Sequence, residues 1–285
     1  MISIGLVVLH YRTEKDTIKC VDSFLKCSNE KAKLKVLIID NHSTNGSFEF
    51  LKDYYAQSES VSIISAEYNL GFARGNNYGV KSISKHGSFD YIICSNNDVY
   101  VTDYSFLDKL GEVCEDGDVI GPDVIRVCDH LHQNPLKPPS WTKKSLNKRI
   151  TSFRFKYLLF SCLPFLVKDR TGVTSTAYNL NDYSLHGSFL IFSKKFCEMF
   201  DYEPFYPKTF LYLEEDFLFY RCKFAHLTMK YCPSIFVWHN HSSSTKSVMS
   251  KASKRRKAFL KNQIVSLKLM KEYLSEKQKC DEKDI

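Results

Sequence analysis

Along the first 125 residues, short apolar runs alternate with stretches whose apolar positions recur every three or four residues. The runs are Ile4 to Leu9, Val36 to Ile39, Val61 to Ile64 and Tyr91 to Cys94. Each is too short for a stable helix and apolar enough to be covered on both faces, as strands of parallel sheets are. Between them the pattern predicts three helices. The first is capped by Thr13 and runs through Ile18, Val21, Phe24 and Leu25. The second covers Ser47 to Tyr55, with Phe48, Leu51 and Tyr55 on one side. The third follows the loop Asn69-Leu70-Gly71-Phe72-Ala73 and ends near Ile83. Strands that alternate with helices predict an α/β fold: a mainly parallel, Rossmann-like central sheet with right-handed crossovers.

After Pro135, Pro138 and Pro139 this order breaks. Lys143 to Lys168 mixes basic and aromatic residues and predicts an amphipathic helical insertion at about 140–170. Regular structure resumes with Tyr183 to Phe192, a helix, and the acidic segment Tyr212 to Arg221. Two further strands are predicted at Thr228 to Cys232 and Ile235 to Trp238. The chain thus divides into a body, 1–245, and a tail, 246–285. The tail predicts one long basic helix with an apolar stripe at Leu260, Ile264, Leu267 and Leu274.

Charge sharpens that division. The tail holds twelve Lys/Arg against five Asp/Glu, +7 of the chain's formal +8, so the body is nearly neutral. A basic helix with one apolar stripe either lies on an anionic membrane or packs its stripe on the body and shows its lysines to water. A neutral body without a nucleic-acid module argues against nucleic acid as the partner. No run reaches the ~18 apolar residues of a membrane-spanning helix, and the N-terminus lacks a signal-peptide pattern. Ten scattered cysteines with no C-x-x-C pair read as buried thiols of a cytoplasmic protein.

The polar residues that could do chemistry sit at the predicted strand tips, where open α/β sheets bind ligands. Asp40, Asn41 and Ser43 follow the second strand. They suit hydrogen bonds to a base and a ribose, and equally a polar turn. In Asn69 to Asn77, two glycines allow close backbone approach and Arg74 offers a donor fork to phosphate, though the segment also suits an ordinary strand–helix loop with Asn and Gly in its turns. Asp98, after the fourth strand, is a single carboxylate able to hold Mg²⁺ or Mn²⁺ against a diphosphate if other groups complete the shell, and Asn96 to Asp98 equally suit a capped strand end. Glu214, Glu215 and Asp216 are three adjacent acids among aromatics; mutual repulsion and burial raise carboxylate pKa values toward the range of a general base. The same acids also suit the first turn of a helix. His239 and His241 follow the last strand, and either can complete a metal shell. His130 and His132 read as solvated loop residues.

In this order the motifs resemble family 2 glycosyltransferases of the GT-A fold, in particular bacterial rhamnosyl- and galactofuranosyl-transferase-like enzymes of O-antigen and capsule synthesis. The matching text is Val7 to Tyr11, Val36 to Gly46, Asn69 to Asn77, Ser95 to Val99, His186 to Ile191, Phe210 to Asp216, and His239 with Ser244. The resemblance implies an inverting transfer from a UDP- or dTDP-sugar to a polysaccharide or lipid-linked acceptor, by an enzyme peripheral to the inner face of the cell membrane. It implies that Asp40 meets the base, with Asn41 and Ser43 nearby, and that Asn69, Arg74 and Asn77 line the nucleotide pocket. Asp98 matches the last acid of the family's D-x-D motif, and His239 falls near the diphosphate and metal. Glu215 matches the base, and Glu214 the acid before it. Two departures stand out: Asn96 replaces the first acid of D-x-D, and Glu215 replaces Asp, with Asp216 as an extra acid. They leave open a second reading, a nucleotide-sugar-binding scaffold subunit with little catalysis.

Overall fold

A computed structural model describes residues 1–113, 117–163, 183–240 and 252–281. Eight strands form one sheet in the order β3-β2-β1-β4-β7-β6-β8-β5. They are β1 (Ile2–His10), β2 (Ala32–Asp40), β3 (Val61–Ser65), β4 (Tyr91–Asn96), β5 (Val99–Tyr100), β6 (Val119–Arg126), β7 (Phe189–Ser193) and β8 (Met229–His239). The first four are mutually parallel; β7 pairs antiparallel with both β4 and β6, and β6 pairs parallel with β8. This is the mainly parallel, helix-flanked sheet that the alternation predicts.

The helices α1 (Glu14–Leu25), α2 (Ser47–Tyr54), α3 (Gly71–Ile83) and α4 (Phe106–Val113) serve this half. Side chains of β1 alternate between two cores. Ile4, Leu6 and Val8 face α1 residues Cys20, Val21 and Phe24, whereas Val7 joins α3 residues Ala73 and Val80. The strict period of two places one apolar layer on each face of the sheet. Phe24, Phe106 and Phe189 interlock at 5.4–5.7 Å between ring centres, one pair stacked and two edge-on.

Three local expectations change. Thr13 occupies the N-cap of α1 but makes no side-chain cap bond; its hydroxyl instead accepts from Asn97 Nδ2 at 2.7 Å. The two strands expected between Thr228 and Trp238 are one strand. Its pairing with β6 jumps from Pro122–Cys232 to Asp123–Phe236, leaving Pro233, which has no N–H to give, in the irregularity. Strands β5 and β6 were not expected: β5 has two residues, and Pro122 and Asp123 break the β-type pattern of β6.

The remaining helices are α5 (Lys143–Cys162), α6 (Lys194–Met199), α7 (Glu214–Phe224) and α8 (Ala252–Asp281). Thr142 and Ser145 close a reciprocal capping box at the start of α5. Helices α5, α7 and α8 form a third hydrophobic cluster around Leu146, Ile150, Phe153, Phe217, Tyr220, Leu260, Leu267 and Met270. The apolar stripe of the tail is therefore turned inward: Leu260 and Leu267 are fully buried and Ile264 and Leu274 pack partly buried beside them. Of the two expectations for the tail, packing on the body holds, and its stripe does not face a membrane. The expected end of the insertion, from Phe165 to Lys168, lies outside the described residues, as do His241 and Ser244.

Because Leu267 has no exposed surface, Leu267→Ala should cost about 2–5 kcal/mol. Urea unfolding of the full chain measures this. A loss below about 0.5 kcal/mol, as for a surface site, would mean that α8 does not belong to the folded core.

Candidate active site

Parallel pairing sets the polar tips side by side. His10 ends β1 opposite Asp40, and Leu9 of β1 is opposite Asn96 of β4. Neighbouring strands lie about 4.8 Å apart, so Asp40 and Asn96 flank β1 at roughly 10 Å. His10 is fully buried, with its ring nitrogens 2.7 Å from Thr17 Oγ1 and 2.8 Å from Ser47 Oγ. Loss of hydration pushes its pKa down to about 4, against the opposing charge of Asp40, so the ring is neutral near pH 7. Thr17 Oγ1 also accepts from Asn97 Nδ2 at 2.9 Å, so a buried polar network ties the tips of β1 and β4.

At the β2 tip, the Asp40 carboxylate accepts from Ser43 N at 3.1–3.2 Å and from Ser65 Oγ at 2.9 Å. Ser43 Oγ accepts from Arg12 N at 2.9 Å, and Arg12 Nη2 donates to Thr44 Oγ1 at 2.9 Å. Arg12, which the sequence patterns did not single out, thereby joins the Asp40–Ser43 turn. Asn41 fixes the loop before α3: its Nδ2 donates to Gly71 O at 3.1 Å and its Oδ1 accepts from Leu70 N at 2.7 Å. In the same loop Asn69 Oδ1 accepts from Gly71 N at 2.9 Å, and Arg74 Nε donates to Leu70 O at 3.2 Å. Asn77 lies further along α3 and is buried. Both ends of its amide engage the main chain of Phe205, at 2.8 and 3.0 Å.

Gly71 shows why this loop carries a glycine. Its φ is +75°, and a Cβ there would stand 2.2 Å from Phe210 O, the atom that accepts from Phe72 N at 2.8 Å. The loop is thus laid against the residues just ahead of the acidic segment. Tyr212 and Leu213 then take φ of +76° and +68°. Two consecutive left-handed non-glycine residues cost about 1–3 kcal/mol each and turn the chain abruptly into α7.

The three acids open α7 and point to three different surroundings. Glu214 is buried, and its Oε1 has no hydrogen-bond partner among the described residues. Burial, reinforced by the charge of Glu215, pushes its pKa up to about 8. Glu215 is half-buried and accepts from Gly187 N at 3.2 Å; burial raises its pKa too, while main-chain donors pull it back. Asp216 accepts from the Trp141 indole at 2.6 Å, and burial raises it to about 6. The space beside Gly187 exists because it lacks a side chain: a Cβ would meet Glu215 Oε1 at 2.8 Å.

Asp98 and His239 meet. His239 Nε2 lies 3.4 Å from Asp98 Oδ1, and the Asp98 carbonyl accepts from Asn240 N at 2.8 Å. Nδ1 of His239 is 2.8 Å from Gln133 Oε1. An amide oxygen only accepts, so Nδ1 donates to Gln133, and that bond turns Nε2 toward the Asp98 carboxylate. An imidazole nitrogen and a carboxylate oxygen that converge are the donor types that would hold a divalent cation. Among the described residues no group of three or more His, Cys, Asp or Glu forms a closed metal cage. His186 stands beside this pair, with 5.6 Å between its ring centre and that of His239. Its Nδ1 accepts from Ser188 N at 3.2 Å, and its main-chain N donates to Asn134 Oδ1 at 2.7 Å.

Gln133 and Trp141 carry no local sequence signal: each acts through a partner about 75 residues or more away. Elsewhere His132, expected to be solvated, has Nδ1 2.7 Å from Asp123 Oδ2, although most of its side chain is exposed. His130 packs its ring at 5.5 Å on Trp238.

This sheet, with its polar strand tips, is the GT-A glycosyltransferase fold, and solved structures of that class superimpose on it. TarS of S. aureus, residues 1–349 in complex with UDP-GlcNAc, gives a TM-score of 0.53 at 12% identity, covering 85% of this chain and 59% of that one. GalNAc-T7 with UDP, GalNAc and Mn²⁺ gives 0.57 at 14%, covering 86% and 45%. The mannosyltransferase PcManGT of Pyrobaculum calidifontis, with GDP-Man and Mn²⁺, gives 0.52 at 11%, covering 84% and 57%. The chain spans 37% of the longer S. aureus TarS structure. Residues 6–173 match the profile described as Glycosyl transferase family 2, and the chain belongs to that family. No curated protein matches its sequence.

Two outcomes are expected of the acidic turn. Gly187→Ala should displace Glu215 and lower turnover without shifting the urea midpoint by more than a fraction of a molar. Glu214, raised from 4.5 to about 8 on folding, keeps a proton that the unfolded chain releases. Its contribution to stability is present below pH 4.5 and is lost as pH rises toward 8. Glu214→Gln should therefore flatten the pH dependence of the urea midpoint across that window; an unchanged slope would contradict the burial of an uncharged Glu214.

Proposed function

We propose that this protein is an inverting glycosyltransferase that moves a sugar from a nucleoside-diphosphate donor to a hydroxyl of a polysaccharide or lipid-linked acceptor. The observation that carries the reading is the chain of bonds linking the strand tips. Asn41 holds Gly71, Phe72 holds Phe210, Glu215 holds Gly187, and Ser188 O accepts from Asn96 N beside Asp98 and His239.

In this reading Asp40, Asn41 and Ser43, with Arg12, form the base and ribose side, Asn69 and Arg74 shape the loop that borders it, and Asn77, its amide engaged by Phe205, anchors α3 rather than lining the pocket. Asp98 and His239 suit a Mg²⁺ or Mn²⁺ ion shared with the donor, because two protein ligands leave positions for phosphate oxygens. When bound there, such an ion would supply positive charge to a departing diphosphate. Two of the superimposed enzymes hold Mn²⁺, which supports the assignment. Glu215 takes the proton of the acceptor hydroxyl as its oxygen bonds the anomeric carbon. The bond from that carbon to the diphosphate oxygen breaks on the opposite face, and the nucleoside diphosphate leaves with the electron pair. Glu215 is favoured over its neighbours because Asp216 is engaged by Trp141 and Glu214 is buried, whereas Glu215 borders the His186–Ser188 turn. Its raised pKa suits a base working near neutral pH.

A panel of nucleotide sugars screened by thermal shift, with and without Mn²⁺, should yield one donor class that raises Tm, and more so with the ion. Asp98→Ala should remove the Mn²⁺ increment. Glu215→Gln should keep the donor's shift while turnover falls about 10²–10⁴-fold. Near-normal turnover in Glu215→Gln excludes it as the base. Donor binding without transfer to any acceptor would favour the scaffold reading.

A further inference from the structure

Helix α5 contains six Lys/Arg and no acid, and α8 contains nine against three. Together they carry +12 in a chain whose total is +8, so the rest of the molecule is net acidic. The two helices also flank an open groove of about 410 Å³, lined by Asn147, Thr151, Arg154, Lys268, Lys271 and Glu272, among others. Three cations face one carboxylate there.

The solvent side of α5 changes character along its length. Lys144, Lys148 and Thr151 are exposed on its N-terminal half. One turn beyond Thr151 and Arg154, at the i+4 positions, stand Phe155 and Leu158, exposed by 67% and 63%. The opposite side of α5, with Leu146, Ile150 and Phe153, is already buried against α7 and α8. Phe155 and Leu158 are thus apolar residues outside the core, set directly above a cationic groove. Apolar side chains next to a basic surface are the arrangement by which helices lie in a membrane interface, the cations meeting headgroups and the apolar residues entering the acyl boundary.

We propose that the outer face of α5, with the α5–α8 groove, docks the protein on an anionic lipid bilayer: Arg154, Lys268 and Lys271 hold a headgroup phosphate while Phe155 and Leu158 insert. The surface is not the stripe of the tail, which the core consumes. No described helix is long and apolar enough to cross a membrane, so the contact is with one leaflet. The inference is independent of the transfer reaction, and binding alone tests it.

The full chain is sedimented with phosphatidylcholine vesicles that contain phosphatidylglycerol, and with pure phosphatidylcholine vesicles. It should partition to the first and not the second. The pair Phe155→Ser and Leu158→Ser should lower partitioning about tenfold or more. The set Arg154→Gln, Lys268→Gln and Lys271→Gln should lower it about a hundredfold. These positions are exposed or line the groove, so urea midpoints should not move. In an F155W variant, brominated phosphatidylglycerol should quench the new indole. Equal partitioning of wild type and variants, or equal binding to both vesicle types, overturns the proposal. So does an apolar pair without effect combined with displacement by soluble polyphosphate, which would make the groove a site for a free polyanion.

Discussion

The junction between β4 and β7 is the constraint on which the site depends. Tyr91 to Ser95 pairs antiparallel with Phe189 to Ser193, and the register continues past the strands as Asn96 N donates to Ser188 O. That pairing fixes His186, Gly187 and Ser188 beside the tip that carries Asp98. Gly187 in turn meets Glu215, and His186 faces His239. Backbone hydrogen bonds tolerate little error in distance or angle, so residues about a hundred positions apart are held in one register. Side chains tune the tip, but the ladder places it.

A second theme is the treatment of charge. The body keeps its titratable groups in restrained states: His10 neutral through burial, Glu214 raised to about 8, Asp216 to about 6 and engaged by an indole. The three acids occupy the first turn of α7, where the helix dipole favours negative charge, yet packing under aromatic neighbours opposes it. Burial wins at both Glu214 and Glu215, and main-chain donors temper it at each. The positive charge collects on α5 and α8, and each sends one cation to the acidic turn: Arg149 acts on Asp216 and Arg256 on Tyr212.

Much of the fold is legible in residue order because local rules act over a few positions. The four parallel strands and the first three helices follow from periodicity, and Gly71 marks the tight approach that Phe210 O demands. The acids at 214–216 and the carboxylate at 98 stand out as charges at the ends of apolar runs. Other features escape because their cause is distant. Strand β6 holds a proline and an aspartate that its neighbours β7 and β8 accommodate. Gln133 matters only because His239, far along the chain, turns Nδ1 to it. Thr13 looks like a helix cap, but Asn97 claims its hydroxyl.

The sequence by itself determined the alternation, the identity of the polar tips and the excess of positive charge in the tail, since these are properties of composition and short-range period. Only the tertiary structure decided which way the tail's apolar stripe faces, which of three adjacent acids accepts from Gly187, and which exposed apolar residues remain on α5. Each of these depends on what packs against what. Burial removes water from one side of a helix and leaves it on the other, and a linear pattern with two equivalent solutions is resolved only by the partner that arrives.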